Sequence, residues 1–316
     1  MTISSNAVDV LSSRVRGEVV TRDHPRYDEL RALDNKCRES RPAAIVRCAD
    51  AQDVATTVRF ATDHDLALAV RAGGHSAPGF GSIEDGIVVD VRPIDHVRVD
   101  PQRRVAAIGG GALAGAVDRA TAPFGLATTT ATVSTVGVAG FTLSGGISHL
   151  TRTHGLAADN LVGADVVLAD GTLVRAGADG DEDLLWALTG GGGNFGVVTE
   201  LRMRLHPVSV VDGGPMLFPL EHTERLVQLY RDWMPEQADD VSAFLALLTV
   251  PPEGGPFPDD LRMRPVCALV WCNTATEDRS HEALATFRAE GPVFDGVSRL
   301  PYGVLQTASD AAAGAG

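Results

Sequence analysis

The sequence predicts an α+β fold in which a domain organised by glycine-rich loops is followed by a second unit of α+β type. Three observations carry this. A strand–helix–strand pattern over 41–70 runs straight into the loop 71–82, R-A-G-G-H-S-A-P-G-F-G-S. Two further small-residue tracts, 134–146 and 189–200, also lie at element junctions. After Pro207 such tracts stop, and strand-like and helix-like segments alternate.

Residues 1–40 read as a mixed, polar entry segment with a helix or two. A strand follows at 41–48, behind Pro42. Residues 50–64 have helical spacing, with Val54, Val58 and Ala61 on one side, and 66–70 form a second strand. Such a unit favours a parallel pair joined by a right-handed crossover. The loop 71–82 leaves the carboxyl end of the second strand, where α/β sheets bind ligands. Its four glycines let the backbone approach a ligand, and successive N–H groups there can form a nest for an anion. His75 sits in its middle. A flexible connection that happens to carry a histidine fits the spacing equally well.

A strand at 86–91 precedes a hairpin, 97–99 with 104–108, around Asp100-Pro101. Residues 109–120 are a glycine turn into a helix and contain a G-x-G-x-x-A match at Gly109, Gly111 and Ala114. A nicotinamide site needs an acidic residue about 20 positions on, at the next strand. Residues 126–136 contain none, and Asp118 lies within the helix, so that reading is rejected. The uncharged tract 134–146 is either a turn buried against a sheet or a wall that admits a flat ring or a phosphate to the backbone. Asp170-Gly171 marks a hairpin, and 181–188 a short helix. The tract 189–200 repeats G-x-G-x-x-G at Gly191, Gly193 and Gly196, but a helix precedes it and a strand, 197–206, follows. That is the wrong order for a dinucleotide turn. Beyond Pro207, strands are expected at 216–219, 241–250 and 266–272, and helices at 221–233 and 277–290.

The totals narrow the function classes. The chain has 316 residues, is 44% hydrophobic and carries a net charge of −14 without a basic run, which argues against nucleic acid or an anionic membrane as partner. None of the four cysteines has zinc-site spacing; Cys267 and Cys272, five apart in a strand, are expected on opposite faces. No metal site is expected. The N-terminus lacks signal-peptide features, and no run approaches the roughly 18 apolar residues of a membrane span. The expectation is a soluble, cytoplasmic protein.

Four segments in order, R-A-G-G-H-S (71–76), S-T-V-G-V-A-G-F-T-L-S-G-G (134–146), H-G-L-A-A-D-N-L-V (154–162) and D-L-L-W-A-L-T-G-G-G-G-N-F-G-V-V-T (183–199), resemble the berberine-bridge-enzyme-like flavoproteins of the vanillyl-alcohol-oxidase (PCMH-type) group. The resemblance is dense over 25–207 and looser beyond. It implies a two-subdomain PCMH-type FAD-binding domain (41–207), after the entry segment (1–40), and part of an antiparallel-sheet substrate domain (208–316). The chain is expected to be truncated, because the family's carboxyl-terminal return is not matched. By the same resemblance His75 matches the histidine linked covalently to the flavin 8α-methyl group. Arg71, Ala72, Gly73, Gly74 and Ser76 match the pyrophosphate loop. Ser134, Thr135, Gly137, Gly140, Gly145 and Gly146 match the second wall, and Val198 matches a contact on the adenine side. Val133 stands where many relatives carry a second, cysteine linkage, so one covalent bond is implied. Ile147 replaces the tyrosine of plant-like relatives. Val136 occupies the position that gates oxygen in the oxidases. The implied activity is an FAD-dependent oxidase moving a hydride from an alcohol or amine carbon of a small-molecule substrate, with molecular oxygen as acceptor. A non-catalytic flavin-binding remnant is the alternative. His149, Tyr302 and Asp165 are available polar groups, but nothing assigns a catalytic base.

Overall fold

The structure, a computed structural model, describes residues 5–308 and 310. Its first layer contains α1 (Ser5–Arg14), β1 (Glu18–Thr21), α2 (Tyr27–Arg31), β2 (Ala44–Arg47), α3 (Ala51–Asp63), β3 (Leu68–Arg71) and β4 (Ile87–Asp90), with strand order β1-β2-β4-β3. The expected parallel relation of β2 and β3 exists, but β4 lies between them and pairs in parallel with both. The reason is burial: all four residues of β4 are buried, as a central strand requires, whereas β3 leaves Val70 partly exposed at the edge. Alternate residues feed two clusters. Val46 and Val89 meet Val54 and Val58 of α3; Ile45 and Val88 meet Tyr27 and Leu30.

Residues 1–40 are more than an entry segment. β1 pairs antiparallel with β2, and Leu11, Val20, Tyr27 and Leu30 are buried. Asp50 caps α3 by accepting from the Gln52 and Asp53 N–H groups. The buried Asp53 carboxylate accepts from the N–H groups of Arg16, Gly17 and Ala49 at 2.8, 2.8 and 2.9 Å, tying the α1–β1 turn to this helix.

The second layer contains β5 (Val97–Asp100), β6 (Val105–Gly109), α4 (Ala114–Thr121), α5 (Val138–Leu143), α6 (Thr151–His154), β7 (Leu161–Val167), β8 (Leu173–Gly177), α7 (Glu182–Gly191) and β9 (Val197–Arg204). Its sheet is antiparallel throughout, in the order β5-β6-β9-β7-β8. The Asp170-Gly171 hairpin forms as expected, with Gly171 at φ 78° and Asp170 accepting from the Thr172 N–H at 2.8 Å. The tract 134–146 departs from a simple turn, because its middle is the helix α5. An uncharged run with Val138, Ala139, Thr142 and Leu143 on one side can bury that side against the sheet. Helix α7 runs past the expected 188, but the backbone leaves helical geometry at Thr189 and Gly190, where Gly190 takes φ 92°.

The third layer contains β10 (Val210–Pro219), α8 (Thr223–Trp233), β11 (Val241–Thr249), β12 (Pro265–Asn273), α9 (Glu277–Arg288), β13 (Phe294–Asp295), β14 (Ser298–Pro301) and α10 (Tyr302–Gln306). The antiparallel order is β11-β12-β10-β13, with β14 also on β10. Helices α8 and α9 cover one face through Leu226, Leu284 and Phe287 against Phe218 and Trp271. Cys267 belongs to that face and Cys272 to the other, beside Tyr302 and Leu305, as the strand period requires. Elements β13, β14 and α10 were not anticipated; each is short, and periodicity needs a longer window.

Helix α10 reaches back to the second layer. The Gln306 amide donates to Thr130 Oγ1 at 2.9 Å and to the Ala131 carbonyl at 3.2 Å, while Thr130 donates to Asp118 at 3.2 Å. Burial pushes the Asp118 carboxyl up to about 7.

Two outcomes follow from these contacts. Asp53→Ala strips three N–H groups of their acceptor and is expected to lower stability by about 3 kcal/mol, read from the urea midpoint. For Asp118 the folded state holds its proton more tightly than the unfolded state. Its contribution is therefore complete below about pH 4 and declines as pH rises through about 7. Asp118→Asn, which cannot ionise, should melt higher than wild type at pH 8, with the gap closing towards pH 4; a thermal melt at each pH reads it.

Candidate functional site

A cavity of about 990 Å³ opens between the first and second layers. One wall is the loop after β3. Gly74 takes φ 81°, a left-handed conformation that turns successive N–H groups to the same side. Among the described residues, the N–H groups of Gly73, Gly74, His75 and Ser76 donate to no protein acceptor. The Ser76 carbonyl and hydroxyl instead accept from Gly79 and Phe80, which closes the loop locally.

The facing wall is the tract leading into α5. It is fixed from behind by α4, since Ala114 N–H bonds to the Val136 carbonyl and Gly115 N–H to the Ser134 carbonyl, both at 3.0 Å. The two walls touch through backbone. A Cβ on Gly73 would lie 2.2 Å from the Gly137 nitrogen, and one on Gly137 would lie 2.5 Å from the Gly73 nitrogen. Gly140 is different: a Cβ there meets nothing within 4 Å, so its face is open to the cavity. The third glycine tract supplies another side through Gly192 and Gly193, and Val198 completes the floor, its carbonyl pressed against Gly110.

His75 stands where the walls meet. Its Nε2 lies 3.0 Å from Thr135 Oγ1, and its Nδ1 lies 3.5 Å from Asp34 Oδ2, which arrives on the segment after α2. Thus the structure brings Ala72, Gly73, Gly74, His75, Ser76, Val136, Gly137, Gly140 and Val198 to one cavity.

Four of the other anticipated residues do not line it. Arg71 is buried beneath Gly74, donating to the Leu30 and Ala32 carbonyls; burial lowers its pKa to about 10, which leaves it charged at neutral pH. Ser134 is bound through its backbone. Gly145 and Gly146 accept from Ala158 and Ala157, closing a turn at positive φ. Thr135 reaches the cavity only through His75. The side chains of α3 and β3 that line the far end, Val58, Ala61 and Leu68 among them, escaped sequence reasoning because a helix or strand face that borders a cavity carries the same apolar pattern as one that borders core.

None of the polar groups considered as bases lines the cavity. His149 is buried against Phe244 and lowered to about 4 by desolvation, Tyr302 is enclosed with Cys272, and Asp165 is engaged by Arg202 at 2.8 Å. Among the described residues no helix is long and apolar enough to cross a membrane.

Free N–H groups over a buried cation, a glycine surface open to a flat group and an apolar enclosure fit a dinucleotide with a planar ring system, as FAD is. Comparison with known proteins agrees. Residues 42–177 match the model of the FAD binding domain family. (R)-6-hydroxynicotine oxidase of Paenarthrobacter nicotinovorans is 39% identical over 192 residues, 61% of this chain and 42% of that protein. The FAD-linked oxidoreductase pgmH of Aspergillus terreus is 31% identical over 309 residues, 93% of this chain and 61% of that protein. The crystal structure of 6-hydroxy-D-nicotine oxidase from Arthrobacter nicotinovorans superposes with a TM-score of 0.83 at 31% identity, covering 92% of this chain and 63% of that one. The chain thus spans between two fifths and two thirds of the length of these relatives.

The contrast between two glycines tests the site. Gly137→Ala forces the walls apart and should lower both the unfolding temperature and the affinity for added FAD. Gly140→Ala, with no neighbour to displace, should leave the unfolding temperature unchanged and weaken FAD alone, measured by fluorescence titration.

Proposed function

We propose that the protein is an FAD-dependent oxidase acting on an alcohol or amine carbon of a small molecule, because residues 42–177 match the FAD binding domain family and similar proteins include FAD-linked oxidoreductases. The observation that carries this is the pair of glycine walls in backbone contact, with His75 at their junction. The N–H groups of 73–76 hold the diphosphate, backed by the Arg71 charge. Gly137 and Gly140 admit the ring system to van der Waals distance. His75 anchors the cofactor through a single covalent bond, since Val133 offers no thiol for a second. Val136, a cavity-lining residue without bulk, leaves room for dioxygen beside the ring. The chemistry FAD supplies when bound is acceptance of a hydride from the substrate and its delivery to dioxygen. The protein's part is to bind, orient and exclude water, which the apolar lining of the cavity does. A hydroxylated nicotine is the first substrate to try, by analogy with the names of two relatives. Four free cysteines, one of them exposed, suit a reducing cytoplasm, and we place the protein there.

The expected outcome is yellow protein whose flavin absorbance stays with the acid-precipitated pellet, and His75→Ala protein whose flavin passes to the supernatant. Peroxide released with substrate completes the test. Colourless, folded protein that takes up no added FAD overturns the reading.

A further inference from the structure

We propose that Asp310 is a positioning residue for the cofactor site: its carboxylate, carried by the third layer, holds the glycine wall 134–137 through the Ser134 N–H. The inference rests on the FAD reading above. Asp310 Oδ1 accepts from that N–H at 2.8 Å, between residues 176 apart in the chain. A hydrogen bond to a carboxylate is roughly twice as strong as one between neutral groups.

The build of the wall gives this bond its weight. Val133 to Val136 form a tight turn, closed by the Val136 N–H on the Val133 carbonyl at 3.2 Å. The second layer grips the turn by backbone alone. The Ser134 and Val136 carbonyls accept from Gly115 and Ala114, and the Val138 N–H donates to the Ala112 carbonyl, each at 3.0 Å. Among the described residues the Ser134 N–H finds no backbone acceptor, and Asp310 supplies one. Val136 and Gly137, just beyond, line the cavity, and Gly137 is in backbone contact with Gly73. Freedom at Ser134 therefore becomes freedom in the wall itself.

Asp310 is delivered by a repeating set of contacts. Tyr302, Gln306 and Asp310 recur every four residues, and each meets the second layer. Tyr302 shares a buried cluster with Ala127 and Leu150. Gln306 reaches Thr130 and Ala131, and Asp310 takes the next step to Ser134. Tight turns carry the chain past α10: the N–H groups of Thr307, Ala308 and Asp310 donate to the carbonyls of Val304, Leu305 and Thr307 at 3.2, 3.0 and 3.2 Å. Segment 302–310 thus lies along 127–134 in one direction. Tyr302 and Gln306 are buried and Asp310 is partly exposed, so docking of the segment survives without the carboxylate while the wall loses its hold. The third layer is thereby coupled to the cofactor wall, and whatever orders one favours the other by the same factor.

The experiment reads the wall and the cofactor separately. Asp310→Ala and Asp310→Asn are made in the His75→Ala background, where binding stays reversible, stripped of flavin and titrated with FAD by fluorescence. Hydrogen exchange is followed on peptides covering 131–137, and unfolding temperatures are recorded. Asp310→Ala should weaken FAD roughly tenfold, the loss of one partly exposed charged bond, and speed exchange in 131–137, with little change in unfolding temperature. Asp310→Asn keeps an acceptor oxygen at the same reach and should recover part of both. Thr307→Ala, on the exposed side of the same segment, should match its parent throughout. Asp310→Ala with unchanged affinity, or with unchanged exchange, overturns the role of Asp310 and leaves the FAD reading intact. An Asp310→Asn no better than Asp310→Ala, both unfolding at lower temperature, also overturns it, as a merely structural contact would behave that way. Folded wild type that takes up no FAD overturns the FAD reading and this inference with it.

Discussion

The contact between Gly73 and Gly137 is the constraint on which the site depends. Two backbones approach so closely that neither position tolerates a Cβ. The first belongs to a loop leaving the parallel edge of a mixed sheet, the second to the entry of a helix on an antiparallel sheet. Their meeting fixes the spacing of the two layers and therefore the depth of the cavity between them. The strand order β1-β2-β4-β3 serves this arrangement, because it leaves β3 at the edge and delivers its loop to the boundary. The N-terminal residues serve it too, by supplying the carbonyls that the buried Arg71 cation needs.

Much of this was legible in the residues. Glycine at 73 and 137 announced close approach, and Asp170-Gly171 announced its hairpin, because these signals are local and steric. The parallel relation around α3 was legible for the same reason. The insertion of β4 between β2 and β3 was not, since which strand takes the centre depends on burial from both faces. The helix α5 was hidden by the small residues that also make a wall. Arg71, Ser134, Gly145 and Gly146 belong to the same motifs, yet they do not line the cavity. A motif preserves a loop's framework as well as its contacts, and sequence alone does not separate the two. Asp34 gave no signal at all, being one carboxylate in a polar stretch until the fold sets it beside His75.

The third layer is bound to the second by polar contacts at two places. The Arg152 guanidinium and Thr153 hydroxyl of α6 donate to the Gln237 and Asp239 carbonyls before β11, and Gln306 of α10 reaches Thr130 and Ala131. Hydrogen bonds have short range and strict direction. Anchored at both ends, this sheet is restrained from sliding over the second layer.

Arg71 carries one more implication. A guanidinium beneath a nest of unpaired N–H groups creates positive potential before any anion arrives, and its bonds to Leu30 and Ala32 order the neighbouring segment in advance. The site is therefore preorganised. The cost of gathering its parts is met during folding, before any anion arrives.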